Sequence, residues 1–248
     1  MLTDRLAAAL CAGALLAAPL AARAEGGEST LLRAGNDVGN KASLQRGARN
    51  FMNYCSGCHS AQYVRYNRVA ADLDIAEPEL KANLMFTGVR SSDTIRSAMP
   101  PEDARKWFGN APPDLSLIAR SRSPDYIYTF LKSFHLDAER PNGVNNVVLP
   151  GTAMPHVLAD LQGTQRAVFV TPGGGGLPVF EKFEPLAAGS LNAEKYDEFV
   201  RDTVNFLDYI GEPVQVERRG LGVWVMLFLL AFTTFAYLLK REYWRDVR

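Results

Sequence analysis

Residues 55–59 read CSGCH. Two thiols and an imidazole inside five residues restrict the chain more than any other stretch, because each chemistry that uses such a set demands its own surroundings. The chain has three cysteines, and the third, Cys11, lies in an N-terminal leader. Cys-x-x-Cys-His is the attachment pattern for c-type haem. Two thioether bonds must reach neighbouring vinyl groups on one edge of a porphyrin, so the sulfurs belong on one short turn. The next residue then faces the iron. Cys55 and Cys58 are therefore the expected anchors and His59 the expected proximal ligand, for one covalently bound haem c. A redox dithiol would not require His59. A structural zinc site needs four ligands, and only His135 and His156 remain to complete one. A disulfide across two residues is open to an exported protein.

The ligand on the far side decides what such a centre does. An open position allows gas binding or peroxide chemistry, whereas a thioether closes the site and favours electron transfer at raised potential. After the motif the chain offers Met85, Met99, Met154, Met226, His135 and His156. Met226 lies in an apolar span, and Met85, in LMFTGV, suits a core role. Met99 (SAMPP) and Met154 (GTAMPH) each precede a proline in a loop. In the usual layout of c-type cytochromes the methionine loop falls between a middle helix and the terminal helix. That order favours Met154 over Met99. His135 and His156 are expected to be ordinary polar loop residues.

Both ends of the chain speak of a membrane. Residues 1–24 carry Arg5, an apolar stretch and the small-residue sequence Ala22-Arg23-Ala24, a secretory signal peptide cut before Glu25. Its removal would take Cys11 with it. Near the C-terminus, Leu221–Leu239 is uncharged and long enough, at ~1.5 Å per residue, to cross a hydrocarbon core of ~30 Å. Trp224, Tyr237, Tyr243 and Trp244 lie near its ends, and Lys240, Arg241, Arg245 and Arg248 follow it, so the basic tail stays inside. The expected organisation is a signal peptide (1–24), an exported haem domain (25–215), a transmembrane helix (220–240) and a cytoplasmic tail (241–248). The protein is then a single-pass protein of the bacterial inner membrane, with its domain in the periplasm.

The domain reads as mainly α, with long loops. Leu44, Ala48, Phe51 and Cys55 place one apolar face on a helix over 43–54 that runs into CSGCH, with Ser43 as its cap. Residues 60–122 read as short helices and loops with little strand. Ser123-Pro124-Asp125 is a strong helix start. An irregular stretch follows to about 190, and its Gly173–Gly176 run lacks the Lys-Ser/Thr of a phosphate loop. Asn192 caps a clear amphipathic helix to Ile210, ended by Gly211 and Pro213. The polar stretch 211–220, with Gly220 as a further breaker, separates domain from span.

Taken together, NYCSGCHS, WFGNAPPDLSLIARSRSPDYIY, PGTAMPHVLADLQG and GEPVQVERRGLGVWV resemble the cytochrome c1 family, in order and over nearly the whole mature chain. The resemblance implies a cytochrome c-like haem domain with one C-terminal anchor, and carries Cys55, Cys58, His59 and Met154 over as haem attachment and axial ligands. It implies a place beside cytochrome b and a Rieske iron–sulfur protein, within a dimeric quinol-oxidising complex. Electrons would come from the Rieske cluster and leave to a soluble cytochrome c, with no substrate transformed on this chain. A stand-alone tethered cytochrome feeding a terminal oxidase or reductase is the alternative. Arg120 matches a family position near a haem propionate, with Arg122 an equally placed competitor.

Formal net charge is zero, which gives no argument for nucleic acid. Residues 25–220 nevertheless hold 21 Lys/Arg against 24 Asp/Glu. Asp72, Asp74, Glu77 and Glu79 form one acidic cluster, and Glu181–Glu212 holds more. Either these are solvated faces, or they steer a basic electron acceptor, an effect on association rate that salt would screen.

Overall fold

The computed structural model describes residues 31–171 and 177–246. The leader and the Gly173–Gly176 run lie outside the described residues. About half of what is described is helical, arranged as helices α1 to α9 around three small antiparallel ribbons.

α1 (Lys41–Tyr54) is capped by Asn40, whose side chain accepts the Ser43 N–H at 3.1 Å. Ser43 is therefore not the cap; it is buried and serves the partner helix instead. That partner is α8 (Ala193–Gly211), capped by Asn192 as expected. Where α1 and α8 cross, a Cβ on Gly47 would lie 2.1 Å from the Asp202 carbonyl oxygen and 2.7 Å from Phe206 Cβ. Only glycine permits this approach. Asp202 is 4% exposed, and its carboxylate accepts from Ser43 Oγ (2.6 Å), Arg46 Nε (2.5 Å) and Arg46 Nη2 (2.9 Å). Asn205 donates to Ser43 Oγ, and Asn50 donates to Thr203 Oγ1 and the Phe199 carbonyl. Buried charge survives only when paired and hydrogen-bonded, so this seam is tolerated because every partner is in place. Phe51 and Phe206, rings 5.6 Å apart, fill the apolar side of the crossing.

Between these helices the chain is short-ranged. β1 (Ala61–Arg65) leads into α2 (Tyr66–Asp72) and α3 (Glu77–Asn83). β2 (Thr94–Ile95) pairs back on β1, so the region has slightly more strand than its sequence suggests. α4 (Pro101–Phe108) ends at Gly109, in the left-handed region at φ 80°. α5 (Ile118–Arg122) precedes α6 (Pro124–Lys132), for which Ser123 is the cap. β3 (Phe134–Leu136) and β4 (Val144–Asn146) form a small hairpin. α7 (Ala159–Gln162) then precedes a longer hairpin, β5 (Gly163–Val170) with β6 (Val179–Ala188). The irregular reading of 135–190 is thus corrected. β-branched and aromatic residues in RAVFV and VFEKF flank the glycine run, which is the pattern of a hairpin.

α9 spans Gln215–Tyr243, 29 residues, and exposes its apolar side chains from Leu221 to Leu239 on all sides. No aqueous helix stays exposed in that way. At ~1.5 Å per residue it measures about 43 Å, longer than the ~30 Å apolar core. Gly220 lies inside this helix and does not break it, so residues 211–220 are not a loose linker. The ~1 kcal/mol penalty of one helical glycine is small beside a helix of this length.

The acidic cluster is largely self-paired. Asp72 accepts from Arg68 Nε and Tyr209 Oη, both at 2.6 Å, Asp74 pairs with Lys41, and Glu77 with Lys81. Solvated, internally paired surface is the better description of it, and Asp72 also joins α2 to α8.

Gly47→Ala is expected to destabilise the domain by about 3 kcal/mol, the upper range for overpacking against backbone. Denaturant unfolding followed by circular dichroism measures this, with Gly220→Ala, which meets nothing within 4 Å, as the comparison.

Candidate haem site

α1 ends in the motif. Cys55 N–H and Ser56 N–H both bond the Phe51 carbonyl, and Cys58 and His59 N–H both bond the Cys55 carbonyl, at 2.8–3.1 Å. The chain thus closes one tight turn that carries both thiols and the imidazole. Both cysteines are free thiols. Burial pushes the Cys55 thiol up to about 12, with Cys58 adding to it. A redox pair needs a thiolate at neutral pH, and burial works against one at Cys55. Among the described residues no group of three or more His, Cys, Asp or Glu is placed to hold a metal ion.

Two segments hold the turn from outside. Ser97 Oγ donates to the Gly57 carbonyl at 2.7 Å, and Ser97 N–H to Ser60 Oγ at 2.9 Å. Opposite them the segment Pro113–Ser116 runs along residues 59–63. Leu115 N–H bonds the Ser60 carbonyl, Gln62 N–H bonds Asp114 and Tyr63 N–H bonds Ser116. That zipper presents the Pro113 carbonyl to His59 Nδ1 at 2.8 Å. A carbonyl only accepts, so Nδ1 carries the proton and Nε2 keeps its lone pair. Burial lowers the His59 pKa, against a smaller raising effect of the Pro113 bond and of Asp114. A neutral imidazole with one nitrogen hydrogen-bonded and the other available is what a metal requires of histidine. Two free thiols on one turn, an oriented imidazole and nearby apolar surface fit a covalently attached haem.

Met154 and Cys55 both pack, half-buried, against the same hydrophobic cluster, with Leu115, Ile118, Tyr126 and Phe130. Residues 99 positions apart thus pack on one hydrophobic core. Met99 is half-buried on the strap that holds the motif turn and is not among the residues of that cluster. Met85 packs half-buried on the same cluster. His135 and His156 are not ordinary loop residues. His135 sits in β3, 8% exposed, beneath Phe169 and Phe183 of the long hairpin. His156 stacks face to face on Phe134, centroids 5.0 Å apart, and burial lowers its pKa to about 4.

Arg120 donates to Glu212 at 2.9 Å, and its stem lies against Gly211. Arg122 places its guanidinium 5.6 Å from the centre of the Tyr126 ring, a residue of the apolar surface just described. The sequence pointed to neither Glu212 as Arg120's partner nor Pro113 as His59's. The quoted PPDL loop was the only trace of the latter, and a backbone acceptor leaves no signature in side-chain identity.

The family model described as the cytochrome C1 family matches residues 37–165 and 191–247. A cytochrome c1 from Allochromatium vinosum is 53% identical, over 94% of this chain and 96% of that protein. A Nitrosomonas europaea protein named ammonia monooxygenase gamma subunit is 44% identical over the same shares. A cytochrome c1 from Rhodospirillum rubrum is 28% identical, over 83% of this chain and 82% of its own length. The turn, the oriented histidine and these matches agree: the chain belongs to the cytochrome c1 family, the membrane-anchored haem c subunits of bc1 complexes.

Proposed function

We propose that the chain accepts electrons from a Rieske iron–sulfur protein and passes them to a soluble cytochrome c, in a dimeric complex with cytochrome b. The domain faces the periplasm, exported by the leader at 1–24. The observation that carries the reading is the His59–Pro113 hydrogen bond inside the CSGCH turn. It fixes the imidazole as a neutral ligand on the same turn as both anchors.

Haem c supplies a one-electron ferric/ferrous couple. Cys55 and Cys58 would hold it at the end of α1, and His59 Nε2 and Met154 Sδ would ligate its iron; a thioether favours the reduced iron. The half-buried apolar side chains around it exclude water. Of the two arginines, Arg122 is the better counter-charge for a propionate, because Arg120 is engaged by Glu212. No residue here needs to gain or lose a proton for electrons to pass.

Covalent attachment is tested by denaturing electrophoresis. Haem should migrate with the wild-type polypeptide and be lost from the Cys55→Ala/Cys58→Ala double variant. Haem that extracts freely from the wild type would sink the reading.

Met154→Leu should remove the weak far-red band of methionine-ligated ferric haem. It should lower the potential by on the order of 0.2 V, within the ~0.8 V that axial ligands span. The same loss in Met99→Leu, with Met154→Leu unaffected, would move the ligand to Met99.

Arg122→Leu should lower the potential more than Arg120→Leu, because a propionate would lose its counter-charge, whereas Arg120→Leu mainly frees Glu212. Redox titration of both variants decides it. Purification in mild detergent should recover a b-type cytochrome and an iron–sulfur protein with the chain. Recovery with a terminal oxidase or reductase instead would favour the stand-alone cytochrome.

A further inference from the structure

The β3–β4 hairpin makes a set of contacts that haem attachment does not use. Its connecting loop is ordered by its own turns. Asp137 N–H bonds the Gly143 carbonyl, Arg140 N–H the Asp137 carbonyl and Gly143 N–H the Arg140 carbonyl. Arg140 is thereby held in place, and its Nη2 donates to the Gly151 carbonyl at 2.8 Å. Gly151 N–H in turn donates to Asn145 Oδ1 at 2.8 Å. One residue, three before Met154, is gripped at both its N–H and its carbonyl. Gly151 has φ 79°, where a side chain would be strained.

The grip has a defined sense. Asn145 Nδ2 donates to Asp137 Oδ2 at 2.9 Å, and a carboxylate only accepts. The amide cannot be turned round, so its oxygen must face Gly151. Next to it, Asn146 is 1% exposed. It accepts from the N–H groups of Val148 and Leu149 and donates to the Phe130 carbonyl. Beyond Gly151, Asn142 Nδ2 lies 3.5 Å from the carbonyls of both Ala153 and Met154. The hairpin itself is tied to the body. Gln165 Nε2 donates to the carbonyls of Lys132 and Phe134, on either side of the start of β3.

We propose that this hairpin is a clamp for the distal methionine, with Arg140 and Asn145 as positioning residues that fix Gly151 and so hold the Met154 thioether in place. The inference rests on Met154 being the distal ligand. The segment 147–158 has no helix or strand of its own to hold it. A loop held only at its ends would spend part of its time with the thioether withdrawn, leaving the distal position open. Two hydrogen bonds to one backbone unit restrict that opening without touching the sulfur.

The test uses the full chain in its membrane complex. Arg140→Leu and Asn145→Ala should each weaken the far-red band and lower the potential. Each should raise the carbon monoxide-reactive fraction of the reduced protein about fivefold, the population shift for one lost hydrogen bond. Arg140→Lys, which keeps a donor on a long stem, should restore most of the wild-type behaviour. If either primary variant fails to accumulate, Arg140→Gln and Asn145→Ser serve in its place. A band, potential and carbon monoxide response unchanged in all of these, with Met154→Leu abolishing the band, overturns the clamp and leaves the ligand assignment standing. A band that survives Met154→Leu overturns the ligand assignment, and the clamp with it.

Discussion

The contact that everything else depends on is the crossing of α1 and α8 at Gly47. These helices come from opposite ends of the domain, and the glycine lets one backbone approach the other's carbonyl. The polar seam around Asp202 then fixes their rotation and register, because a buried carboxylate with three donors has one good arrangement. Truncating one partner of such a pair leaves a charge without compensation, which costs far more than the pair contributes when whole. The crossing therefore does more for uniqueness than for net stability. Its consequence for function is direct: the last turn of α1 delivers Cys55.

From there the site is assembled by backbone rather than by side chains. The turn at 55–59 is closed by its own amides. Its histidine is aimed by the carbonyl of Pro113, a residue with no N–H to offer elsewhere. The zipper of residues 113–116 against 59–63 brings that carbonyl into place. The resulting histidine is neutral, held by one nitrogen and free at the other. The loop bearing Met154 is also governed through main-chain groups. In the proposed site, ligand identity is written in side chains and ligand geometry in hydrogen bonds to the backbone.

That division explains what could be read in advance. Thioether chemistry fixes its own spacing, so the CSGCH turn could be picked out as the proposed attachment site, and the apolar stripes of α1 and α8 gave both helices. Ser123 and Asn192 were legible as caps because capping is a local affair of three residues. Ser43 was misread because its hydroxyl answers to Asp202, 159 positions away. The long hairpin was missed because the glycine run was weighed alone and not with the strands on each side. There β6 also hides its pattern. Phe180 and Phe183 are three apart and would face opposite ways in a regular strand, yet a bulge between Val168 and Phe169 brings their rings to 4.6 Å. The family match leaves out residues 166–190, most of this hairpin. Of the acidic cluster's pairs, Arg68–Asp72 and Glu77–Lys81 are four residues apart and legible in the sequence, whereas those of Lys41 and Tyr209 come from remote segments and were not.

The joint between α8 and α9 sets how the domain is carried by its apolar helix. Only residues 212–214 lie between the two helices, and Pro213 restricts even these. Glu212 N–H bonds the Tyr209 carbonyl, Gln215 N–H bonds the Glu212 carbonyl, and the Glu212 carboxylate takes both Arg120 and Arg218. A slack tether would let the domain roam above the lipid. This joint gives it no such leash: in the proposed role it would hold the haem at a set height over the bilayer, like a fixed landing.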